Sequence, residues 1–135
     1  MRDRLAVAAG HRCGYCRTSE KITGVRLVLD HLLPQARGGS DAEENRWPAC
    51  DPCNQFKQAR IEARAPVTGE MAALFNPRRQ HWVEHFMWVD AGLRIEGLTP
   101  IGRATVTALH LNRPLLVEAR ATWVTFGMHP PHDDS

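Results

Sequence analysis

Four cysteines in two Cys-x-x-Cys pairs are the residues of this 135-residue chain whose chemistry is most directly indicated by spacing. Cys13 and Cys16 form the first pair, and Cys50 and Cys53 form the second. Two such pairs can arrange four thiolates tetrahedrally around one zinc ion, with zinc–sulfur distances of about 2.3 Å. The spacing therefore predicts a closed zinc site that stabilises the fold. Disulfide bonds, which need an oxidising compartment, and a redox-active Cys-x-x-Cys are the alternatives.

The segment bracketed by the cysteines carries side chains suited to acid–base and metal chemistry. It contains the dipeptide Asp30-His31 and, further on, Asn45, while Asn54 and Lys57 follow the second cysteine pair. Asn54 and Lys57 are three residues apart and share one face if their segment is helical. Each of these residues, taken singly, is weak evidence for a site. Their combination inside the cysteine bracket is what indicates one.

The pattern around these residues predicts a strand, a loop, a second strand and a helix. Alternating apolar and polar residues with β-branched side chains predict a strand over residues 25–31. A Gly-Gly pair interrupts regular structure, and residues 46–49 form at best a short strand because Pro48 cannot donate to a ladder. A helix is expected over residues 52–64, with Asp51 as its cap and proline in its first turn.

This order of motifs resembles that of the HNH endonucleases, a ββα-metal superfamily. The matching elements are the first Cys-x-x-Cys, the stretches "DHLLP" and "RGG", Asn45, "CDPCN" and Lys57, in that order. They cover about the first half of the chain. The segments "LFNPRRQHWVEHFMW" and "GLTPIGRATVTALHLNRP" are similar to the C-terminal part of small bacterial and cyanobacterial HNH proteins. The resemblance implies metal-dependent hydrolysis of phosphodiester bonds.

Carried over residue by residue, the resemblance implies four roles at the reacting centre. His31 would be the general base that takes a proton from water, and Asn45 would orient its ring by a hydrogen bond. Asp30 and Asn54 would be the ligands of a catalytic divalent cation. Because these ligands are oxygen atoms, they favour Mg²⁺ or Mn²⁺ at this second site, whereas zinc stays with the cysteines. The products would carry a 5′ phosphate and a 3′ hydroxyl.

Basic residues near the motif are the expected nucleic-acid contacts. Lys57 would lie against a phosphate, with Arg60 beside it on the same helix. Arg37 precedes the Gly-Gly pair, and Arg46 stands where the family has an apolar residue. Contacts of this kind bind phosphates and carry little sequence information. The expected partner is double-stranded DNA, bound by a single chain, a homodimer or a larger complex.

The second half of the chain contains one metal-binding pattern that we reject. His81 and His85 in "HWVEH" fit the spacing of some zinc peptidases, but no clear third ligand follows. The pattern runs instead into a predicted β-hairpin over residues 85–98, with Gly92 in its turn. Trp82, Phe86, Met87 and Trp88 are expected in a hydrophobic core.

Two helices are predicted after the hairpin. Thr99 and Pro100 have the residue types of a helix N-cap and first position, and the helix is expected to end near residue 111. A second helix is expected from residue 114 to Gly127, with an apolar stripe that packs on the hairpin or on the HNH unit. The stripe consists of Leu115, Ala119, Trp123 and Phe126. Residues 129–135 are expected to be loose.

Bulk composition restricts the choice only mildly. The chain has 17 Lys and Arg against 15 Asp and Glu, a formal charge of +2, which by itself does not indicate a nucleic-acid partner. No apolar run reaches the roughly 20 residues that span a bilayer. The N-terminal apolar patch is too short for a secretory signal. We therefore expect a cytoplasmic protein with no membrane partner, in which the thiols stay reduced.

These observations predict an α+β protein. Residues 1–65 are expected to form the HNH nuclease unit stapled by the four-cysteine zinc site. Residues 66–135 are expected to form an accessory region, with a hairpin and two C-terminal helices, packed as part of the same domain. The predicted function is an endonuclease that nicks DNA, with His31 as its base. The alternatives are a catalytically inactive zinc-stabilised nucleic-acid-binding module and a subunit of a defence or mobile-element complex.

Overall fold

Residues 1–131 are described by a computed structural model, and they fall into two compact units. The first unit comprises Met1–Ile61 and Asn76–Arg79, and the second comprises Glu62–Phe75 and the described residues from Gln80 onward. The predicted α+β class is confirmed. The expectation that residues 1–65 and 66–135 pack as one domain stays a prediction. The helices and strands described are α1 (Arg2–Ala8), α2 (Glu20–Thr23), β1 (Val28–His31), β2 (Arg46–Ala49), α3 (Asp51–Lys57), β3 (Glu62–Arg64), β4 (Met71–Ala73), α4 (Trp82–His85), β5 (Phe86–Val89), β6 (Arg94–Gly97), α5 (Pro100–Ala108) and α6 (Pro114–Thr125).

The first unit contains the predicted order of strand, loop, strand and helix. β1 and β2 pair antiparallel, with Asp30 opposite Trp47 and His31 opposite Arg46. Pro48 lies in β2 opposite Leu29, so the proline shortens the second strand without abolishing it. α3 follows at once and carries a proline in its first turn, as expected.

α3 is shorter than the sequence indicates, and the prediction of a helix to residue 64 is wrong. The helix ends at Lys57 because Gln58 takes a positive φ of 55°. The Arg60 side chain then donates to the carbonyl of Phe56 at 2.6 Å, which satisfies one of the free acceptors at the helix end. Glu62 begins β3, so the residues expected in the last turns of a helix form a strand instead.

The second unit contains the predicted hairpin. β5 and β6 pair antiparallel, and Gly92 in their connection has a φ of +92°, which only glycine adopts without strain. Trp82 and Phe86 are fully buried, with ring centroids 5.1 Å apart, as expected of core residues. Met87 is 44% exposed, so the expectation that it belongs to the core is wrong.

The helix after the hairpin begins where the sequence indicates. Thr99 is the N-cap of α5, and its hydroxyl accepts from the backbone N–H of Gly102 at 3.0 Å. Pro100 occupies the first helical position, where its missing N–H costs nothing. α5 ends at Ala108, three residues earlier than expected.

α6 begins at Pro114 as predicted but turns a different face inward. Leu115 is 79% exposed and Phe126 is 73% exposed, so the prediction that the stripe packs on the hairpin or on the HNH unit is wrong for these two residues. The buried residues of the helix are Leu116 and Arg120. No helix within residues 1–131 is long and apolar enough to cross a bilayer.

The buried guanidinium of Arg120 explains the orientation of α6. Arg120 donates to the carbonyls of Leu93 and Leu111, at 3.0 and 2.8 Å, and lies 5.2 Å from the centre of the Trp88 ring. These partners compensate for removing the charge from water. A pattern that counts only apolar residues therefore assigns the wrong face.

The start of the C-terminal segment is ordered. His129 is 5% exposed, its Nε2 lies 2.9 Å from the carbonyl oxygen of Gly92, and its ring contacts Trp88 edge-on. The expectation of a loose segment is therefore wrong at its first residue. Residues 132–135, which it also covered, lie outside the described part of the chain.

The two adjacent leucines of α6 provide a matched test of this orientation. We expect Leu116→Ala to lower the free energy of unfolding by about 2–5 kcal/mol, since the leucine is buried. Leu115→Ala should change it by no more than about 0.5 kcal/mol, because that side chain is in solvent. Urea denaturation followed by circular dichroism measures both, and a larger effect at Leu115 would contradict the observed orientation.

Candidate metal centre and active site

The four cysteines form one cluster in the first unit. Their Sγ atoms all lie within 4.8 Å of one another, and those of Cys16 and Cys50 are 3.6 Å apart. Four sulfurs at about 2.3 Å from one zinc ion are about 3.8 Å apart in a tetrahedron, so the cluster has the size that zinc requires. A disulfide would need about 2.05 Å between two sulfurs. The geometry favours a shared metal over the alternatives of disulfides and a separate redox pair.

The pKa shifts of the cysteines also indicate that the cluster needs a bound cation. Burial raises the pKa of the Cys13 thiol well above its usual value, and hydrogen bonding with Cys13 raises the pKa of Cys53. Hydrogen bonds from the other cysteines, Cys13 first, lower the pKa of Cys16. The protein alone therefore stabilises a thiolate at Cys16 but not at Cys13 or Cys53. A bound divalent cation is what would allow all four to ionise together, since buried negative charges need compensation.

Asp30 lies close to this cluster in a buried hydrogen-bonded group. It is 3% exposed, and its Oδ2 accepts from the Tyr15 hydroxyl at 2.7 Å. Tyr15 sits between the first two cysteines in sequence, and burial, followed by the Asp30 charge, raises its pKa, so the phenol stays a donor. The Lys57 Nζ is 3.3 Å from Oδ1 and 3.1 Å from Oδ2 of Asp30, and it also donates to the carbonyl of His31 at 2.8 Å.

These contacts correct the expected role of Lys57. Lys57 is 2% exposed, so its ammonium is not presented to a phosphate as predicted. The sequence places Lys57 on the same helix face as Asn54, and that face points inward, against the strand that carries Asp30. Lys57 is therefore the counter-ion of Asp30.

The contacts of Asp30 with Tyr15 and Lys57 also limit where the expected catalytic cation can bind. Asp30 and the half-buried Asn54 offer oxygen ligands of the right chemistry. Both oxygens of Asp30, however, are already within hydrogen-bonding distance of an ammonium or a hydroxyl. A divalent cation does not fit beside Lys57 in this arrangement, because the two positive charges would share one buried carboxylate.

His31 lies at the end of β1 and is hydrogen-bonded to Asp41, which the sequence analysis did not predict as a site residue. Its Nε2 lies 2.7 Å from Oδ1 of Asp41, and this hydrogen bond lowers the pKa of the Asp41 carboxyl. An ionised carboxylate only accepts, so Nε2 carries the proton and donates. The other ring nitrogen, Nδ1, has no hydrogen-bond partner among the described residues and keeps its lone pair in the neutral ring.

Asp41 is held by more than the histidine. Gln35 Nε2 donates to the same carboxylate oxygen at 2.9 Å, and Arg46 Nη1 lies 3.7 Å from it. The carboxylate is nevertheless 71% exposed at its side chain. Two features of the sequence could have indicated Asp41. It is a carboxylate close after the Gly-Gly pair, and its loop connects two strands that meet beside His31.

Asn45 holds that loop rather than the imidazole. Its Nδ2 donates to the carbonyls of Leu33 and Ser40, at 2.9 and 2.8 Å, and its Oδ1 accepts from the Leu33 N–H at 2.9 Å. Both amide hydrogens and the oxygen are therefore used by backbone. The predicted hydrogen bond from Asn45 to the His31 ring is corrected to a clamp on the loop that begins next to it.

The two glycines of the loop are required by its path. Gly38 has a φ of +89°, in the left-handed region that other residues rarely adopt. A Cβ on Gly39 would collide with the carbonyl oxygen of Leu33. The glycines thus let the chain turn back tightly, and this turn places Asp41 against His31.

The other three predicted nucleic-acid contacts lie at different depths. Arg37 is exposed, and its Nε donates to the carbonyl of Ala59 at 2.9 Å. Arg46 is half-buried, and its Nη2 donates to the carbonyl of Leu29 at 3.2 Å, next to the His31–Asp41 pair. Arg60 is half-buried at the end of α3. Their contact with nucleic acid stays a prediction.

Comparison with known families now adds independent support. Residues 13–66 match a family model described as HNH endonuclease, and the match spans about two fifths of the chain. This N-terminal segment is an HNH domain. Comparison with curated proteins and with solved structures gives no significant match. The HNH match supports a nuclease in general and implies a nucleic-acid substrate.

The HNH domain also contains the four-cysteine cluster, which could hold a metal ion. Groups of at least three His, Cys, Asp or Glu residues can hold a metal ion when their ligand atoms lie close together. Within residues 1–131, the four cysteines form such a group. The rejected "HWVEH" pattern lies in the second unit, where His85 Nδ1 is 2.7 Å from the Thr99 hydroxyl and His81 is exposed.

Loss of one cysteine should unfold the HNH domain. Structural zinc sites bind with about 10–16 kcal/mol in small domains, comparable to the whole stability of a domain. We expect Cys16→Ser to lose bound metal and the helical signal of the first unit, as measured by elemental analysis and circular dichroism. Thr18→Val is the control, because it removes only the hydroxyl 3.1 Å from Cys16 Sγ. Full metal content in Cys16→Ser would contradict a four-thiolate site.

Proposed function

We propose that the protein is a metal-dependent HNH endonuclease that hydrolyses phosphodiester bonds of DNA. The observation that carries the proposal is the His31–Asp41 hydrogen bond of 2.7 Å inside the segment that matches the family. It fixes one ring nitrogen of His31 as a donor and leaves the other as a base. The His31 side chain is 25% exposed, so a water molecule and a phosphate can approach it.

The proposed chemistry follows from this tautomer. Nδ1 of His31 removes a proton from water as the oxygen attacks phosphorus, and the bond from phosphorus to the 3′ oxygen breaks. The imidazolium formed is stabilised by the Asp41 carboxylate on its other nitrogen, and it returns its proton to solvent. The departing 3′ oxygen takes a proton from solvent. The products are a 5′ phosphate and a 3′ hydroxyl.

Two metals belong to the proposal with different support. Zinc is proposed at the four cysteines, whose spacing and burial suit it. Mg²⁺ or Mn²⁺ is proposed as the divalent cation of the reaction, with Asp30 and Asn54 as its ligands. Because Asp30 is paired with Lys57, the cation would have to replace the ammonium to bind there, and no step is assigned to it.

The nucleic-acid side of the proposal involves surface arginines. Double-stranded DNA is the proposed substrate, with Arg37, Arg46 and Arg60 near its phosphates. Such contacts predict affinity that falls with salt and depends little on sequence. One HNH site cuts one strand, so we propose nicking by each chain, with double-strand cleavage only when two chains act together. Reduced thiols at the zinc site suit a cytoplasmic location.

One observation favours a second candidate function. A carboxylate that is buried and neutralised by Lys57 is poorly placed to hold a catalytic cation. The HNH domain would then be a zinc-stabilised nucleic-acid-binding module without turnover, or a subunit of a defence or mobile-element complex. This alternative predicts DNA binding in the presence of Mg²⁺ or Mn²⁺ with no conversion of the DNA.

Replacement of the proposed base distinguishes the two functions. We expect His31→Ala to reduce nicking of supercoiled plasmid by about 10²–10⁴-fold, the usual contribution of a general base, while zinc content and DNA affinity persist. His81→Ala is the matched control, since His81 is an exposed histidine of the second unit. If the unaltered protein binds plasmid but nicks it with neither ion, the binding-module alternative is favoured instead.

Asp41 is expected to act through His31. Carboxylates that orient metal-bound histidines contribute about 10–100-fold, and we expect Asp41→Asn to lower kcat by at least a factor of this order with little change in KM. Heteronuclear NMR of the imidazole should show loss of the Nε2–H tautomer. Asp41→Glu should restore part of both signals, and Asp3→Asn, at a 96% exposed side chain, is the control. An unchanged tautomer in Asp41→Asn would refute the positioning role.

A further inference from the structure

The buried ion pair between Lys57 and Asp30 lies where the proposed function needs a cation. Lys57 Nζ is within 3.3 Å of both carboxylate oxygens, and the two side chains are 3% and 4% exposed. Tyr15 supplies a further donor to Oδ2 at 2.7 Å. The carboxylate is thus fully supplied with donors and shielded from solvent.

A divalent cation on the same carboxylate would stand very near the ammonium. Mg²⁺ binds carboxylate oxygen at about 2.0–2.1 Å, so the ion and Nζ would share an oxygen with no water between them. At such separations in a partly desolvated site, the repulsion between two positive charges is large. Simultaneous binding of both cations to Asp30 is therefore strongly disfavoured.

Lys57 has the properties of a partner that can be exchanged. Its ammonium is joined to Asp30 and to the carbonyl of His31, at the end of a flexible four-carbon chain. It sits on the last turn of α3, and Gln58 directly after it already leaves helical geometry. Asn54, the other proposed ligand, lies one turn earlier on the same helix. Withdrawal of the ammonium would leave Asp30 facing this side of the helix.

We propose that Lys57 and the divalent cation are alternative partners of Asp30, so that the cation binds only when it displaces the ammonium. This inference rests on the proposed function, which makes Asp30 a metal ligand. Lys57 thereby sets how tightly the site holds Mg²⁺ or Mn²⁺. In the absence of the cation, it serves as the built-in positive charge that keeps the buried carboxylate stable.

The direct test is Mn²⁺ binding to the zinc-loaded protein, measured by electron paramagnetic resonance of the free ion. We expect Lys57→Met to bind Mn²⁺ with a Kd about ten-fold or more below that of the unaltered protein, because the competing charge is gone. Lys57→Arg keeps the charge and should resemble the unaltered protein. The double variant Asp30→Asn with Lys57→Met should lose the tight site. Equal affinity of Lys57→Met and the unaltered protein would overturn the proposal.

A second measurement covers the case in which Lys57→Met folds poorly, since it leaves a buried carboxylate without its partner. Mn²⁺ should then raise the Tm of Lys57→Met but not that of the double variant, because a ligand that binds only the folded state stabilises it. If Lys57→Met does not fold even with Mn²⁺, the ¹⁵N signal of the Lys57 ammonium is followed in the unaltered protein during titration with Mg²⁺. Persistence of its hydrogen-bonded signal throughout the titration would overturn the exchange, and its loss would support it.

These readouts are separate from nuclease activity. Tight Mn²⁺ binding by Lys57→Met, together with a protein that never nicks DNA, would refute the proposed endonuclease and leave the exchange at Asp30 intact. Nicking that depends on His31, together with equal Mn²⁺ affinity in Lys57→Met, would refute the exchange and leave the endonuclease intact.

Discussion

The first unit depends on one buried carboxylate. Asp30 joins three parts of the chain that are distant in sequence, because Tyr15 of the cysteine turn and Lys57 of α3 both donate to this residue of β1. Each partner compensates part of the cost of removing the charge from water. Removal of one member of such a pair typically destabilises a protein by about 3–5 kcal/mol, since the other charge is left buried. The position of the strand, the turn and the helix is therefore specified by polar contacts as well as by apolar packing.

The four-cysteine cluster and this carboxylate constrain the same parts of the chain. Tyr15 lies between Cys13 and Cys16, so a metal that fixes the cysteine turn also fixes the hydroxyl that reaches Asp30. Cys53, on the first turn of α3, is held by the same cluster, and Lys57 follows one turn later on that helix. A metal held by the cysteines would thus act, together with the buried ion pair, on the same helix and turn. The long segment between the two cysteine pairs contains β1, and Asp30 of β1 is bonded both to Tyr15 beside the first pair and to Lys57 after the second. These contacts hold the segment in place despite its length.

Sequence reasoning succeeded where the signal is local. Cysteine spacing, the hairpin turn at Gly92 and the cap at Thr99 each depend on the chemistry of a few neighbouring residues, and all three appear in the structure. It failed where the direction of a side chain depends on distant partners. Lys57 was expected to contact a phosphate because the resemblance implies that role, whereas its ion pair with Asp30 on a neighbouring strand holds it inside. The face of α6 was misassigned for the same reason, since a buried arginine is invisible to an apolar pattern.

The orientation of His31 depends on the backbone path of the loop that follows it. The side-chain amide of Asn45 forms all its hydrogen bonds with the backbone of Leu33 and Ser40. Gly39 has no Cβ and so leaves room for the Leu33 carbonyl. The loop is thereby closed at its base, and its length then decides which residue returns to the imidazole. That residue is Asp41, whose carboxylate selects the ring tautomer. Asn45 therefore influences His31 through the path of the backbone. An asparagine bonded directly to the ring would have served one tautomer less well, because an amide can both donate and accept, whereas an ionised carboxylate can only accept.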